Sequence, residues 1–142
     1  MFDIWVENTD RKPTNNNILF VANDNGLVIN AIDHAFTFDS VKFADLNAEY
    51  VNNTYNENIL ETSFAKDLIS LKKKEPDKNE WINELQENFY LCVNNCKENF
   101  DVIVSYIPDE LGFDETLSQF IRDFLFNEKR NKKVFTEFLS RI

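Results

Sequence analysis

Two apolar runs meet at a four-residue turn near the start of the chain, and this limits the fold more than any other feature. "NILFVA" (17–22) and "LVINAID" (27–33) flank "NDNG" (23–26). Asn25-Gly26 tolerates the positive φ values that a tight two-strand turn requires. The two runs are therefore expected to pair as an antiparallel hairpin. The second run is nearly continuous in apolar residues, so it is expected to be buried on both faces.

Beyond residue 39 the pattern changes to a helical period. Phe43, Leu46 and Tyr50 recur at helical spacing, as do Leu60, Phe64, Leu68 and Leu71. "DKNE" (77–80) is a capping-box pattern, with Glu80 three residues after Asp77. It opens one long stripe of Trp81, Leu85, Phe89, Cys92, Val93, Cys96 and Phe100. "SYIPDELGFDE" (105–115) reads as a turn. Asp114 can cap a helix that turns Leu117, Phe120, Ile121, Phe124 and Leu125 inward. A last helix carries Val134, Phe135, Phe138, Leu139 and Ile142. "MFDIWV" (1–6) reads as the end of an apolar helix, and residues 7–16 as a polar loop. "LKKKEPDK" (71–78) reads as a solvated helix end, because lysines favour a helix C-terminus. The expected fold is mainly α with a small β-hairpin: about five helices after the hairpin, in a single domain spanning residues 1–142.

Composition supports this and narrows the partners. The chain has 142 residues, 43% of them hydrophobic, which suits one domain with a sizeable core. Gly 2 and Pro 3 are too few for long structureless loops or a glycine-rich phosphate cradle. The net charge of −10 argues against a nucleic-acid partner and against anionic membrane surfaces. An acidic face serves solubility, or docks a basic protein or a metal–nucleotide. No run approaches the length of a membrane span. Cys92 and Cys96 share one helix face and are expected to be reduced core thiols in a cytoplasmic protein.

Three polar residues surround the hairpin. Asp10 lies in the loop before it, Asn15 just before the first strand, and Asp33 at the exit of the second. A hairpin returns the chain on itself, so Asp33 is expected near Asn15. Two oxygen ligands brought together in this way suit a hard cation such as Mg²⁺. Asp10 would then stand beside the metal, where a group that orients a hydroxyl or receives its proton belongs. An Asp, four residues, an Asn, two strands and a second Asp is the order of a kinase catalytic loop and metal motif. The same residues also serve as ordinary turn and cap residues in many proteins.

The stretches "FDIWVENTDRKPTNNNILF" and "INAIDHAFTF" resemble the C-terminal lobe of HipA-like kinases, in the branch with an N-T-D-R-x-P-x-N-x-N loop and an I-D-H motif. Trp5, Asn8, Thr9, Asp10, Arg11, Pro13, Asn15, Asn17, Ile32, Asp33 and His34 fall on that pattern. "IPDE" (107–110), ahead of two final helices, is similar to the family's C-terminal region. The specific part of the likeness covers residues 2–38; residues 41–104 are generic helix. The resemblance implies that Asp10 is the catalytic aspartate and that Asn15 and Asp33 are the Mg²⁺ ligands, with ATP as the nucleotide. It places His34 where ordinary protein kinases have phenylalanine, supporting Asp33 or packing behind the hairpin. Arg11 and Asn17 become bracing residues on the nucleotide side. Arg11 can reach a phosphate or pair with a nearby acid.

A kinase also needs a lysine on the phosphates and a covering loop. Here nine residues precede Asp10, and Gly26 and Gly112 cannot make a G-x-G-x-x-G loop. The expectation is therefore a kinase-like C-lobe whose N-lobe is absent. It would be one part of a split Ser/Thr kinase and not active alone. The alternatives are a non-catalytic protein-binding module derived from such a lobe, or an idle truncated remnant. A split kinase should expose apolar surface near Phe2, Ile4 and Phe20 for an N-lobe subunit, and a homodimer can cover the same surface.

Overall fold

The computed structural model describes residues 1–24, 26–34, 37–38, 51, 59–74 and 76–142. Among these the chain is mainly helical, with one two-stranded antiparallel sheet. Helix α1 (Phe2–Trp5) leads through a polar loop into β1 (Ile18–Asn23) and β2 (Gly26–Ala31). A 3-10 turn (Ile59–Glu61) then precedes α2 (Ser63–Lys73) and the long α3 (Lys78–Val104). A second 3-10 turn (Asp109–Leu111) joins α3 to α4 (Glu115–Leu125), and α5 (Glu128–Arg141) closes the described chain.

Helices α2 to α5 start where the sequence supplies a side-chain acceptor for an otherwise unbonded N–H. The side chains of Thr62, Asp77, Asp114 and Asn127 accept from the backbone N–H of Ala65, Glu80, Leu117 and Arg130. Lys72 and Lys73 lie in the last turn of α2, where positive charge meets the helix carbonyls. Gly112, at φ 65°, ends the second 3-10 turn in the left-handed region.

The core joins the two ends of the chain. Ile4, Trp5 and Val6 are buried with Phe89, Val93 and Phe100 of α3, Ile121, Phe124 and Leu125 of α4, and Val134, Phe135 and Phe138 of α5. Trp5 meets Phe89 edge to face at 6.3 Å between ring centroids, and Phe89 stacks on Phe135 at 6.4 Å. The Trp5 indole Nε1 donates to the carbonyl of Leu125 at 2.9 Å, so its polar atom is satisfied where it is buried.

Several expectations are corrected here. The β2 run is exposed along its whole length, and β1 beyond Ile18 likewise. The core forms at the helical end, so an apolar run is no guarantee of burial on both faces. Ile4, expected on a surface with Phe2 and Phe20, is 5% exposed, because α1 packs into the core while Phe2 stays outside. Cys92 is exposed and Cys96 half-buried; both thiols are free, so Cys92 is not a core thiol. On α3 the buried line runs through Phe89, Val93 and Phe100, and Cys92 lies one residue, about 100°, away from Val93. Phe120 is exposed for the same reason, one residue off the Ile121–Phe124–Leu125 face. Four α-helices follow the hairpin among the described residues. The Phe43–Leu46–Tyr50 pattern and Asn25 lie outside those residues.

Candidate functional site

The loop between α1 and β1 is built by short polar contacts, starting from Asp3. Asn8 donates from its backbone N–H to the Asp3 carbonyl at 2.9 Å and from Nδ2 to Asp3 Oδ1 at 3.1 Å. The Asn8 Oδ1 in turn accepts from the backbone N–H of Asp10 at 3.1 Å. Asn8 is thus a strut between the first helix and the loop. Two residues on, Lys12 and Asn15 exchange backbone hydrogen bonds at 3.1 and 2.9 Å around Pro13-Thr14. Proline suits such a turn because its φ is already set. The turn folds Asn15 back over Asp10.

The result is a carboxylate held by two amides. Asp10 Oδ2 accepts from Asn15 Nδ2 at 2.6 Å and from Asn17 Nδ2 at 3.2 Å. An amide that donates through its nitrogen presents its carbonyl oxygen elsewhere. Asn15 is half-buried. The hairpin register completes the site. Ile32 donates its backbone N–H to the Asn17 carbonyl at 2.9 Å, which extends the β1–β2 pairing by one residue, with Asp33 following just past it. Asp33 is exposed, with φ 53°. Asn17 has φ 45°. Asn and Asp tolerate this left-handed region better than other residues with a Cβ.

Arg11 points the opposite way from its neighbour Asp10. It is 5% exposed and ties the first helix to the hairpin root. Its Nε donates to both Asp3 carboxylate oxygens at 2.9 and 3.0 Å. One terminal nitrogen reaches the carbonyls of Asn16, Asn17 and Ile32, and the other lies 3.3 Å from His34 Nδ1. The His34 ring also meets Phe2 edge to face at 5.6 Å, and its carbonyl accepts from Thr37. Arg11 thus braces the loop against the first helix and the hairpin-root carbonyls, Asp10 is held by Asn15 and Asn17, and His34 is exposed.

A second buried pair fixes the entry to the loop. Glu7 and Arg130 are both fully buried, with Arg130 donating to Glu7 Oε1 at 3.0 Å and to the Trp5 carbonyl at 2.8 Å. The guanidinium also lies over the Phe124 ring, 3.5 Å from its centroid. Burial lowers the Arg130 pKa to about 10, opposed by the charge and hydrogen bond of Glu7. Glu7 has φ 52° and Phe38 φ 62°, and Phe38 donates to the Val6 carbonyl at 3.0 Å. Of the described non-glycine residues of positive φ, Glu7, Asn17 and Asp33 fall on this loop and hairpin, and Phe38 lies a few residues past it. Such backbone costs energy and persists where surrounding contacts impose it.

Sequence reading did not find Glu7, Arg130 or the part played by Asp3. Glu7 and Arg130 are 123 residues apart, and no periodicity links them. Charged residues inside otherwise apolar segments were the available signal, as in "IWVEN". No group of three or more His, Cys, Asp or Glu that could hold a metal occurs among the described residues. Of the side-chain oxygens here, on Asp10, Asp33, Asn15 and Asn17, the expected metal site uses one carboxylate, Asp33, and one amide, Asn15. Magnesium is commonly held by one or two protein oxygens together with waters and substrate phosphates, and this donor set fits that pattern. No described helix is long and apolar enough to cross a membrane. Comparison with family models, curated proteins and solved structures finds no match to this chain.

Proposed function

We propose that residues 7–34 are the catalytic loop and metal-binding hairpin of a HipA-like kinase C-lobe, which transfers phosphate from ATP to a protein Ser or Thr when a second polypeptide supplies the nucleotide-binding lobe. The observation that supports this reading is the Asp10 carboxylate held by the Asn15 and Asn17 amides, with the Asn17–Ile32 bond returning the chain to that loop one residue before Asp33. In this reading Asp10 orients the substrate hydroxyl and receives its proton. Asn15 and Asp33 hold Mg²⁺ through their oxygens, with the ATP phosphates completing its shell. Magnesium supplies charge neutralisation on the transferred phosphoryl group. Asn17 fixes the Asp10 rotamer, and Arg11 with His34 keeps the loop and hairpin root in register. Arg11 is committed to Asp3 and backbone carbonyls, which favours the bracing role over contact with a phosphate.

The test is reconstitution. This chain is mixed with a lysine-bearing, strand-rich polypeptide encoded beside it, together with Mg-ATP and a protein substrate. Phosphotransfer is expected from the mixture and from neither component alone. Asp10→Asn should abolish it, and Asp33→Ala should lower it and raise the magnesium concentration it needs. An inert mixture in which the two polypeptides nevertheless bind would sink the catalytic reading and favour a non-catalytic binding module.

A further inference from the structure

The long helix α3 and the corner between α4 and α5 leave a cleft of about 330 Å³ between them. Tyr90, Val93 and Lys97 line it from α3, and Phe126, Asn131 and Lys132 from the corner and α5. None of its lining residues falls within residues 1–34, so it is separate from the loop and the hairpin. A single water fills about 30 Å³ and small-molecule sites begin at about 300 Å³, so the cleft has the size of a ligand site.

Its floor carries an unmet polar group. Asn131 is 2% exposed. Its Nδ2 donates to the Leu125 carbonyl at 3.0 Å, which fixes the orientation of the amide. Its buried Oδ1 has no hydrogen-bond partner among the described residues. Such an acceptor is costly to leave unmet, and most are met in folded proteins. Val93, the other buried lining residue, is apolar and offers its side chain no donor. A molecule that brings an N–H into the cleft supplies what Asn131 lacks.

The walls and rim select the rest of that molecule. Tyr90 and Phe126 are half-buried rings, which suit a flat apolar body. Burial, and then the Glu128 carboxylate, raise the Tyr90 pKa, so its hydroxyl keeps its proton. The charged lining residues are Lys97, Lys132 and Glu128, two cations against one anion in a chain of net charge −10. None of the three takes part in an ion pair among the described residues. Two unpaired lysines at the mouth of a cleft favour an anionic group there. We propose that this cleft binds a small aromatic carboxylate that carries an N–H donor. The N–H meets Asn131, the ring lies against Tyr90 and Phe126, and the carboxylate reaches Lys97 or Lys132. This site stands independently of the phosphotransfer reading.

Indole-3-acetate is the probe, titrated into the full chain and followed by calorimetry and NMR. One-to-one binding is expected, with shifts at the Asn131 side-chain amide and at Val93, and none at Asn15 or Asn17. The 1-methyl analogue, which has lost the N–H, should bind about ten-fold more weakly. 3-Methylindole, which lacks the carboxylate, should also bind more weakly, and added salt should weaken the two acids alone. Lys97→Gln combined with Lys132→Gln, both at exposed positions, should remove that salt dependence. Asn131→Ala should make indole-3-acetate and its 1-methyl analogue bind alike. If that variant does not fold, the comparison of probes on the unaltered chain still decides. Equal binding of the methylated and unmethylated acids overturns the proposal. So does the lack of any shift at Asn131 with the probe at millimolar concentration, or a set of shifts confined to the exposed hairpin.

Discussion

Trp5 and Phe20 are both large aromatic residues in apolar runs near the start of the chain, yet Trp5 is 2% exposed and Phe20 48%. Trp5 enters a core closed by α3, α4 and α5, with its indole N–H bonded to Leu125. Phe20 touches Phe64 of α2, a helix that has no buried residue of its own. The helical end thus invests its apolar side chains in its own fold, whereas the hairpin presents them outward. Between the two ends lies the polar loop, and Arg11 and Asp3 fasten one to the other.

The sharpest way to break this contrast is at the buried Glu7–Arg130 pair. Glu7→Gln or Arg130→Met alone leaves a buried charge without its partner and should cost about 3–5 kcal/mol. The double substitution should cost less than the sum of the two, as chemical denaturation of the four proteins will show. Trp5→Ala should be comparably severe, about 3–5 kcal/mol, whereas Phe20→Ala should cost about 1 kcal/mol. Equal costs at the two positions would mean that the hairpin is as much a part of the core as α1 is.

Arg11→Met probes the fastening itself. It should cost about 2 kcal/mol, because the lost partners are one half-buried carboxylate and several carbonyls. Hydrogen exchange should quicken at Ile32 while α4 and α5 keep their protection. Asp10→Asn should change stability by about 1 kcal/mol or less, since its two bonds lie at the edge of the fold. Its effect on reconstituted phosphotransfer should be complete. The smallest expected difference concerns the thiols. Burial, together with the neighbouring Cys92, raises the Cys96 pKa, so an alkylating reagent should label the exposed Cys92 first, as peptide mapping will show.

Local features of the fold were legible in the chain because local interactions set them. The two apolar runs formed the hairpin, with strands at Ile18–Asn23 and Gly26–Ala31. Asp77 and Asp114 capped helices because their carboxylates lie within reach of the N–H three residues on. The spacing of Asp10 and Asn15 placed them together, since a short turn closes that distance with backbone bonds alone.

Tertiary structure decided which apolar surfaces are covered. β2 is the more continuously apolar of the two, yet α5 is buried along one face and β2 is open. The difference depends on which elements meet, and those meetings join residues as far apart as Trp5 and Leu125. The same distance hid Glu7 and Arg130, whose charges are held in the core by each other, by Phe124 and by the Trp5 carbonyl. The sequence by itself determined the hairpin, the helix starts and the oxygen-rich loop. The packing of α1 against the C-terminal helices decided which way that loop faces and left the outer edge of β2 exposed, because burial is settled only when distant segments compete for the same core.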